Sequence, residues 1–147
     1  MTVALGLDAG TVRVGVAAAD PTGTLASPVA VLPRAGVRAL WERVREEARS
    51  REAGVIVVGL PRELDGSEGP AAEDARRLAA DAERETGLPV ELWDERFTSA
   101  EAERALVATG MRRARRRVTV DGVAAALMLQ GWLDSRSHRR GQGRRRR

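Results

Sequence analysis

Three carboxylates stand at the margins of apolar runs. Asp8 closes the run Val3 to Leu7 and opens the segment Asp8-Ala9-Gly10-Thr11-Val12-Arg13-Val14-Gly15; Glu95 follows the short run Val90 to Trp93; Asp121 heads the apolar segment Val123 to Leu133. Acids at the ends of different elements can converge in a fold, and carboxylate oxygens are the ligands that hard divalent cations such as Mg2+ or Mn2+ prefer. Phosphodiester hydrolysis needs an activated water, a stabilised leaving oxygen and relief of charge on the phosphorus oxygens, and two cations about 3.5 to 4 Å apart supply all three. The pattern points to a metal-dependent phosphodiesterase: Asp8 is placed to bridge two cations, and Glu95 and Asp121 to hold one each from the flanks.

Each acid also has a plainer reading. An Asp before Gly at a strand end forms turns, Asp121 suits the positive end of a helix dipole, and Glu95 could be a paired surface acid. It is their joint placement that favours metal. Asp94 competes with Glu95, because neighbouring residues on a strand point to opposite faces and a register error of one exchanges them. Arg13 and Arg96 are candidates for phosphate contact, although Arg96 could instead neutralise the acids beside it. Gly59 and Gly66, with Pro61, shape a loop whose bare backbone N–H groups could meet phosphate oxygens. The only histidine, His138, lies in the basic tail, which argues against a histidine base or a zinc site.

With 147 residues and 43% hydrophobic content, the chain suits one domain with its own core. It has no cysteine, which rules out disulfides and thiolate metal sites and agrees with a reducing compartment. No basic segment followed by a long apolar stretch opens the chain, and no run approaches the ~20 apolar residues of a membrane span. A soluble, cytoplasmic protein is expected. All 25 basic residues counted as Lys+Arg are arginine, and they are unevenly spread. Seven of them fall in 136–147, so the net +4 becomes −3 without that segment, and −8 once the five between Arg112 and Arg117 are also set aside. Arg112 and Arg113 thus open one basic cluster, and 136–147 reads as a basic, disordered tail beyond a domain of residues 1–135. Both clusters suit a polyanion such as nucleic acid. Aromatic content of 3% makes base stacking a minor source of affinity.

The elements that must position the acids follow from periodicity. Val14, Val16 and Ala18 alternate as a strand after the Asp8 turn, and Leu25 to Leu32 reads as a third strand between Pro/Gly-containing turns. Val37, Leu40, Trp41, Val44 and Ala48 have helical spacing, with Trp41 in the core and Gly54 ending the helix. Val55 to Val58 is continuous and apolar, as in strands covered on both faces. A loop from Gly59 to Pro70 leads to a helix striped by Ala71, Ala75, Leu78, Ala79 and Ala82, stopped by Gly87 and Pro89, before the strand Val90 to Trp93. Thr98 and Glu101 have capping-box spacing for a helix ending at Gly110. Thr119 caps a last helix that is apolar nearly all round and so packs on the sheet. The expected fold is α/β: a five-stranded mixed sheet, three antiparallel strands then two parallel, flanked by helices. Strands one, four and five then end at one edge, where Asp8, the Gly59 loop and Glu95 meet.

Four segments in order, Asp8-x-Gly10-x-x-Arg13-x-Gly15, Val58-Gly59-Leu60-Pro61 running on to Asp65-Gly66, Asp94-Glu95-Arg96-Phe97-Thr98-Ser99 and Asp121-x-x-Ala124-Ala125, resemble the successive motifs of the YqgF/RuvX family. The resemblance covers about residues 3 to 133. It implies a ribonuclease H-like fold, Glu95 rather than Asp94 as the metal ligand, and a cytoplasmic nuclease that matures the 5′ end of pre-16S ribosomal RNA. It also implies kinship with Holliday-junction resolvases, which keeps branched or single-stranded DNA open as a substrate and either a monomer or a homodimer as the assembly.

Two other classes compete. Asp8-Ala9-Gly10-Thr11 is similar to the phosphate loop of actin/Hsp70-like phosphotransferases, but those close two such domains over a nucleotide and this chain has length for one. A non-catalytic factor that holds ribosomal RNA through its arginines would bind without metal and cleave nothing.

Overall fold

The computed structural model describes residues 3–97 and 120–145. The elements are β1 (Val3–Ala9), β2 (Arg13–Ala19), β3 (Ala26–Pro33), α1 (Val37–Ser50), β4 (Ala53–Leu60), α2 (Pro70–Thr86), β5 (Val90–Asp94), a 3-10 turn (Glu95–Phe97) and α3 (Val120–Arg145). The strands form one sheet in the order β3-β2-β1-β4-β5. β1, β2 and β3 pair antiparallel, while β4 pairs parallel to β1 and β5 parallel to β4. This is the mixed sheet expected from the sequence. The helix expected between Thr98 and Gly110, and the cluster containing Arg112 and Arg113, lie outside the described residues.

Alternation along the central strands divides the core in two. Leu5, Leu7, Val14, Val16, Ile56 and Val58 point to one face, where Leu40, Trp41 and Val44 of α1 and Ala75, Leu78 and Ala82 of α2 cover them. Ala4, Ala17, Val55 and Val57 point to the other, under Val123, Ala125, Met128, Leu129 and Trp132 of α3. β4 is buried on both faces, which is why its sequence shows no polar alternation. The α3 face of the sheet is built from small residues, so the helix comes close: a Cβ added to Gly6 would lie 3.0 Å from Leu129 Cβ.

Three details depart from the sequence reading. Gly54 does not end α1; it lies inside β4, and the left-handed residue of the α1–β4 turn is Glu52 at φ 54°. α3 is not simply apolar, because Gln130, only 1% exposed, sits in its buried face. Its amide donates to the Thr24 carbonyl (2.8 Å) and to Asp134 (3.0 Å) and accepts from the Ala26 N–H (2.8 Å), so every polar atom of the amide is used where β3 begins. Third, α3 continues to Arg145, so its backbone passes Ser135 by ten residues. Arginine is a good helix former, and Arg136 is anchored by stacking over Trp132 (4.6 Å to the ring centroid) and by Glu91 (3.6 Å). No described helix is long and apolar enough to cross a membrane.

Candidate active site

Parallel pairing brings the carboxyl ends of β1, β4 and β5 to one edge. Asp8 is the penultimate residue of β1, opposite Gly15 of β2. On β4 and β5, Gly59 pairs with Trp93 and Leu60 with Asp94, so Glu95 is the first residue past the ladder. Its side chain turns back over β4: a Cβ on Gly59 would lie 2.5 Å from Glu95 Oε1 and 3.0 Å from Met128 Cγ. Only a residue without a side chain leaves that space. From sequence, Gly59 belongs to the shape of a phosphate loop; its position in the fold gives it the further task of seating a carboxylate.

In that seat Glu95 hydrogen-bonds the Asp8 carboxyl. Burial, then the bond to Asp8 and the negative charges of Asp8 and Asp94, push the Glu95 carboxyl up to about 8. Two ionised acids this close repel each other, which favours a proton on Glu95. A divalent cation answers the same electrostatic need, and a donor set of partly buried carboxylate oxygens is the kind Mg2+ and Mn2+ take. Among the described residues two carboxylates, and no group of three, come together.

The direction of α3 bears on where residue 121 lies. Met128 lies against Gly59 at the carboxyl end of β4, whereas Leu133 lines a cavity with Val55 near its start, so α3 runs antiparallel to β4. Residue 121, in the first turn of α3, precedes Met128 by seven residues, or roughly 10 Å of rise. The helix axis therefore carries residue 121 toward the edge where Asp8 and Glu95 meet.

Asp94 is occupied elsewhere. It accepts two bonds from the Arg96 side chain, at 3.1 Å from Nε and 2.8 Å from Nη2, and one from the Arg96 N–H at 2.9 Å, and Arg62 Nε stands 3.8 Å away. The Arg96 side chain holds the Asp94 carboxyl below the usual range. The pairing with Asp94 is the contact that the neutralising reading of Arg96 expects. Its guanidinium also lies across Gly66, with Nη1 3.5 Å from where a Cβ would stand. Gly66 has φ +89°, the left-handed value that favours glycine, in a turn closed by Gly66 N–H to Glu63 and Glu63 N–H to Ser67. Arg13 is exposed at the first position of β2, on the rim beside the Asp8 turn. Sequence reasoning missed Arg34 and Asp74, which meet at 2.6 Å behind that turn; forty residues separate them, and no local pattern links them.

A cavity of about 550 Å3 opens at the opposite edge, lined in part by Thr22, Gly54, Pro89, Glu91, Trp132 and Arg136. Of its acids, Glu91 pairs with Arg136 and Asp134 with the Gln130 amide, so neither meets a second carboxyl as Glu95 meets Asp8.

The model of the family described as RuvX, Holliday junction resolvase, matches residues 2–135. The chain belongs to the RuvX family. A relative from Pelotomaculum thermopropionicum is 47% identical over 137 residues, 92% of this chain and 89% of its own length. One from Myxococcus xanthus is 42% identical over 131 residues, 89% of this chain and 87% of its own. Both are named as candidate pre-16S rRNA nucleases. Among solved structures, Thermus thermophilus RuvC matches with a TM-score of 0.58 at 18% identity, covering 93% of this chain and 97% of that one. At that identity the likeness concerns the fold, which is ribonuclease H-like, as the RuvX motifs implied.

Proposed function

We propose that this RuvX-family chain is a divalent-metal-dependent nuclease that hydrolyses phosphodiester bonds in the 5′-end processing of pre-16S rRNA in the cytoplasm. The observation that carries the metal chemistry is the Asp8–Glu95 pair, two carboxyl groups in contact where the parallel strands end. The names of the curated relatives support the choice of ribosomal RNA.

Bound Mg2+ or Mn2+, two ions in the full form of the proposal, would supply an activated water and neutralise charge on the phosphate. Asp8, Glu95 and Asp121 hold them from β1, the end of β5 and α3. Gly59 keeps the Glu95 seat open, Arg13 meets the substrate backbone from the rim, and Gly66 and Arg96 keep the neighbouring loop in shape. The arginines of 112–117 and 136–147, beginning with Arg112 and Arg113, add attraction for the polyanion that is independent of base sequence.

A second reading, resolution of branched DNA, is favoured by the family description and by the RuvC fold. A substrate panel separates the two: RNA carrying the precursor 5′ end, duplex DNA, a four-way junction and ATP, each with Mg2+ and with Mn2+. Cleavage of the RNA supports the proposal. Paired symmetric cuts confined to the junction, from a dimer, would replace it with resolvase, and ATP turnover without nucleic-acid cleavage would replace it with the phosphotransferase reading. Binding without turnover in metal-loaded protein would leave the RNA-binding factor.

A further inference from the structure

The turn that presents Asp8 is held from outside. Gly10 N–H donates to the Arg13 carbonyl at 2.8 Å, and only Thr11 and Val12 lie between. Two-residue hairpin turns that suit the right-handed twist of their strands need positive φ at one or both central residues. Neither Thr11 nor Val12 has it; among the described non-glycine residues only Glu52 does. The first carbonyl of such a turn normally takes the N–H of the fourth residue. Here the Gly10 carbonyl takes Arg34 Nη1 at 2.8 Å.

Arg34 follows β3, and its own N–H donates to the Val12 carbonyl at 3.0 Å, so its backbone and its side chain grip the same turn. The guanidinium is oriented by Asp74 of α2 through two bonds, Nη1 to Oδ2 at 2.6 Å and Nη2 to Oδ1 at 2.9 Å. Side-chain exposures of 26% for Arg34 and 31% for Asp74 keep the pair partly shielded from water. A planar fork can satisfy a carboxylate and a carbonyl together; a lysine ammonium, a point charge on a flexible stem, cannot fix both directions. Asp8 lies two residues before Gly10, so a shift of the turn moves the carboxylate that faces Glu95.

We propose that Arg34, oriented by Asp74, is a positioning residue that clamps the Gly10–Arg13 turn and thereby sets Asp8 against Glu95 for metal binding. The proposal rests on the metal-dependent reading above. It is tested on the full chain with wild type, Arg34→Ala, Arg34→Lys and Asp74→Asn, by Mn2+ titration of metal-free protein and by amide hydrogen exchange. Arg45→Ala is the control, since the Arg45–Glu85 pair (2.9 Å) is of similar build but ties α1 to the far end of α2. The expected result is Mn2+ affinity about tenfold weaker in Arg34→Ala and Asp74→Asn, the effect typical of removing groups that orient metal ligands. Exchange across residues 10–13 should be faster, Arg34→Lys intermediate, and Arg45→Ala like wild type in both measurements. Wild-type Mn2+ affinity in a folded Arg34→Ala protein would overturn the proposal even if exchange quickened, because the pair would then be an ordinary structural ion pair. Should wild type itself bind no Mn2+, the metal reading fails, and exchange alone decides the clamp: unchanged protection across 10–13 in Arg34→Ala would overturn that as well.

Discussion

The Glu95 carboxylate occupies the volume that a side chain on Gly59 would need, 2.5 Å from the position of its Cβ. β4 and β5 are thus joined at their carboxyl ends by a missing side chain as well as by the ladder. Gly59→Ala should expel Glu95 from its position against Asp8. We expect nuclease activity and Mn2+ affinity to fall about 10- to 100-fold, as when a metal ligand is no longer held in orientation. Overpacking against Met128 should cost about 1 to 3 kcal/mol in a urea melt. Activity unchanged in Gly59→Ala would mean that Glu95 works from another position.

The upward shift of the Glu95 carboxyl predicts a pH dependence of stability. The Glu95 carboxyl moves from an ordinary 4.5 up to about 8 on folding, so over that interval the folded chain binds more protons than the unfolded one. This contribution to stability is fully present below pH 4.5 and is lost as pH rises through 8. Metal-free protein should therefore melt at falling temperature between those values, and Glu95→Gln should flatten this part of the profile. Mg2+ or Mn2+ should stabilise most at the alkaline end, where no proton has to be displaced. A wild-type profile that matches Glu95→Gln would contradict the pairing.

Gln130→Leu isolates structure from chemistry. It leaves the Thr24 carbonyl and the Ala26 N–H without their buried partner. Thermal or urea denaturation should show a destabilisation of about 1 to 3 kcal/mol, the cost of leaving buried polar groups unsatisfied. Cleavage by the protein that remains folded should be close to wild type, because Gln130 serves the start of β3 and not the Asp8 edge.

Removal of residues 136–147 takes away seven arginines. Binding to RNA should weaken similarly for all sequences, with the slope of its salt dependence reduced by about 0.7 to 0.9 for each phosphate that is no longer neutralised. Without Arg136 over Trp132 and beside Glu91, thermal stability should change little, as the Arg136 and Glu91 side chains are about half exposed. An unchanged salt slope would make this stretch of α3 a passive extension.

Strand periodicity made the sheet legible, because one-face and two-face burial leave different marks: Leu5 and Leu7 alternate with small residues, whereas Val55 to Val58 run on without a break. The acids at strand ends were legible for the same reason. Whether Asp94 or Glu95 faces Asp8 was not, since it depends on where β5 stops; the ladder ends at Asp94, and the 3-10 turn that follows aims Glu95 back over Gly59. Pairings across long stretches of chain were also invisible. Arg34 with Asp74, and Gln130 with the start of β3, join residues whose neighbours in sequence carry no sign of the partner. The end of α3 was not legible either, because a run of arginines has the composition of a solvated tail and also the propensity of a helix.

The central claim is that carboxylates at the Asp8 edge hold catalytic metal, and it is tested most directly by cleavage of RNA carrying the pre-16S 5′ end. Wild type should cut with Mg2+ or Mn2+ and stop on addition of chelator. Asp8→Asn and Glu95→Gln, shown to be folded, should be inactive, and Asp94→Asn should be milder, since Asp94 pairs with Arg96. Wild-type cleavage rates from folded Asp8→Asn protein, or cleavage that persists in chelator, would contradict the account.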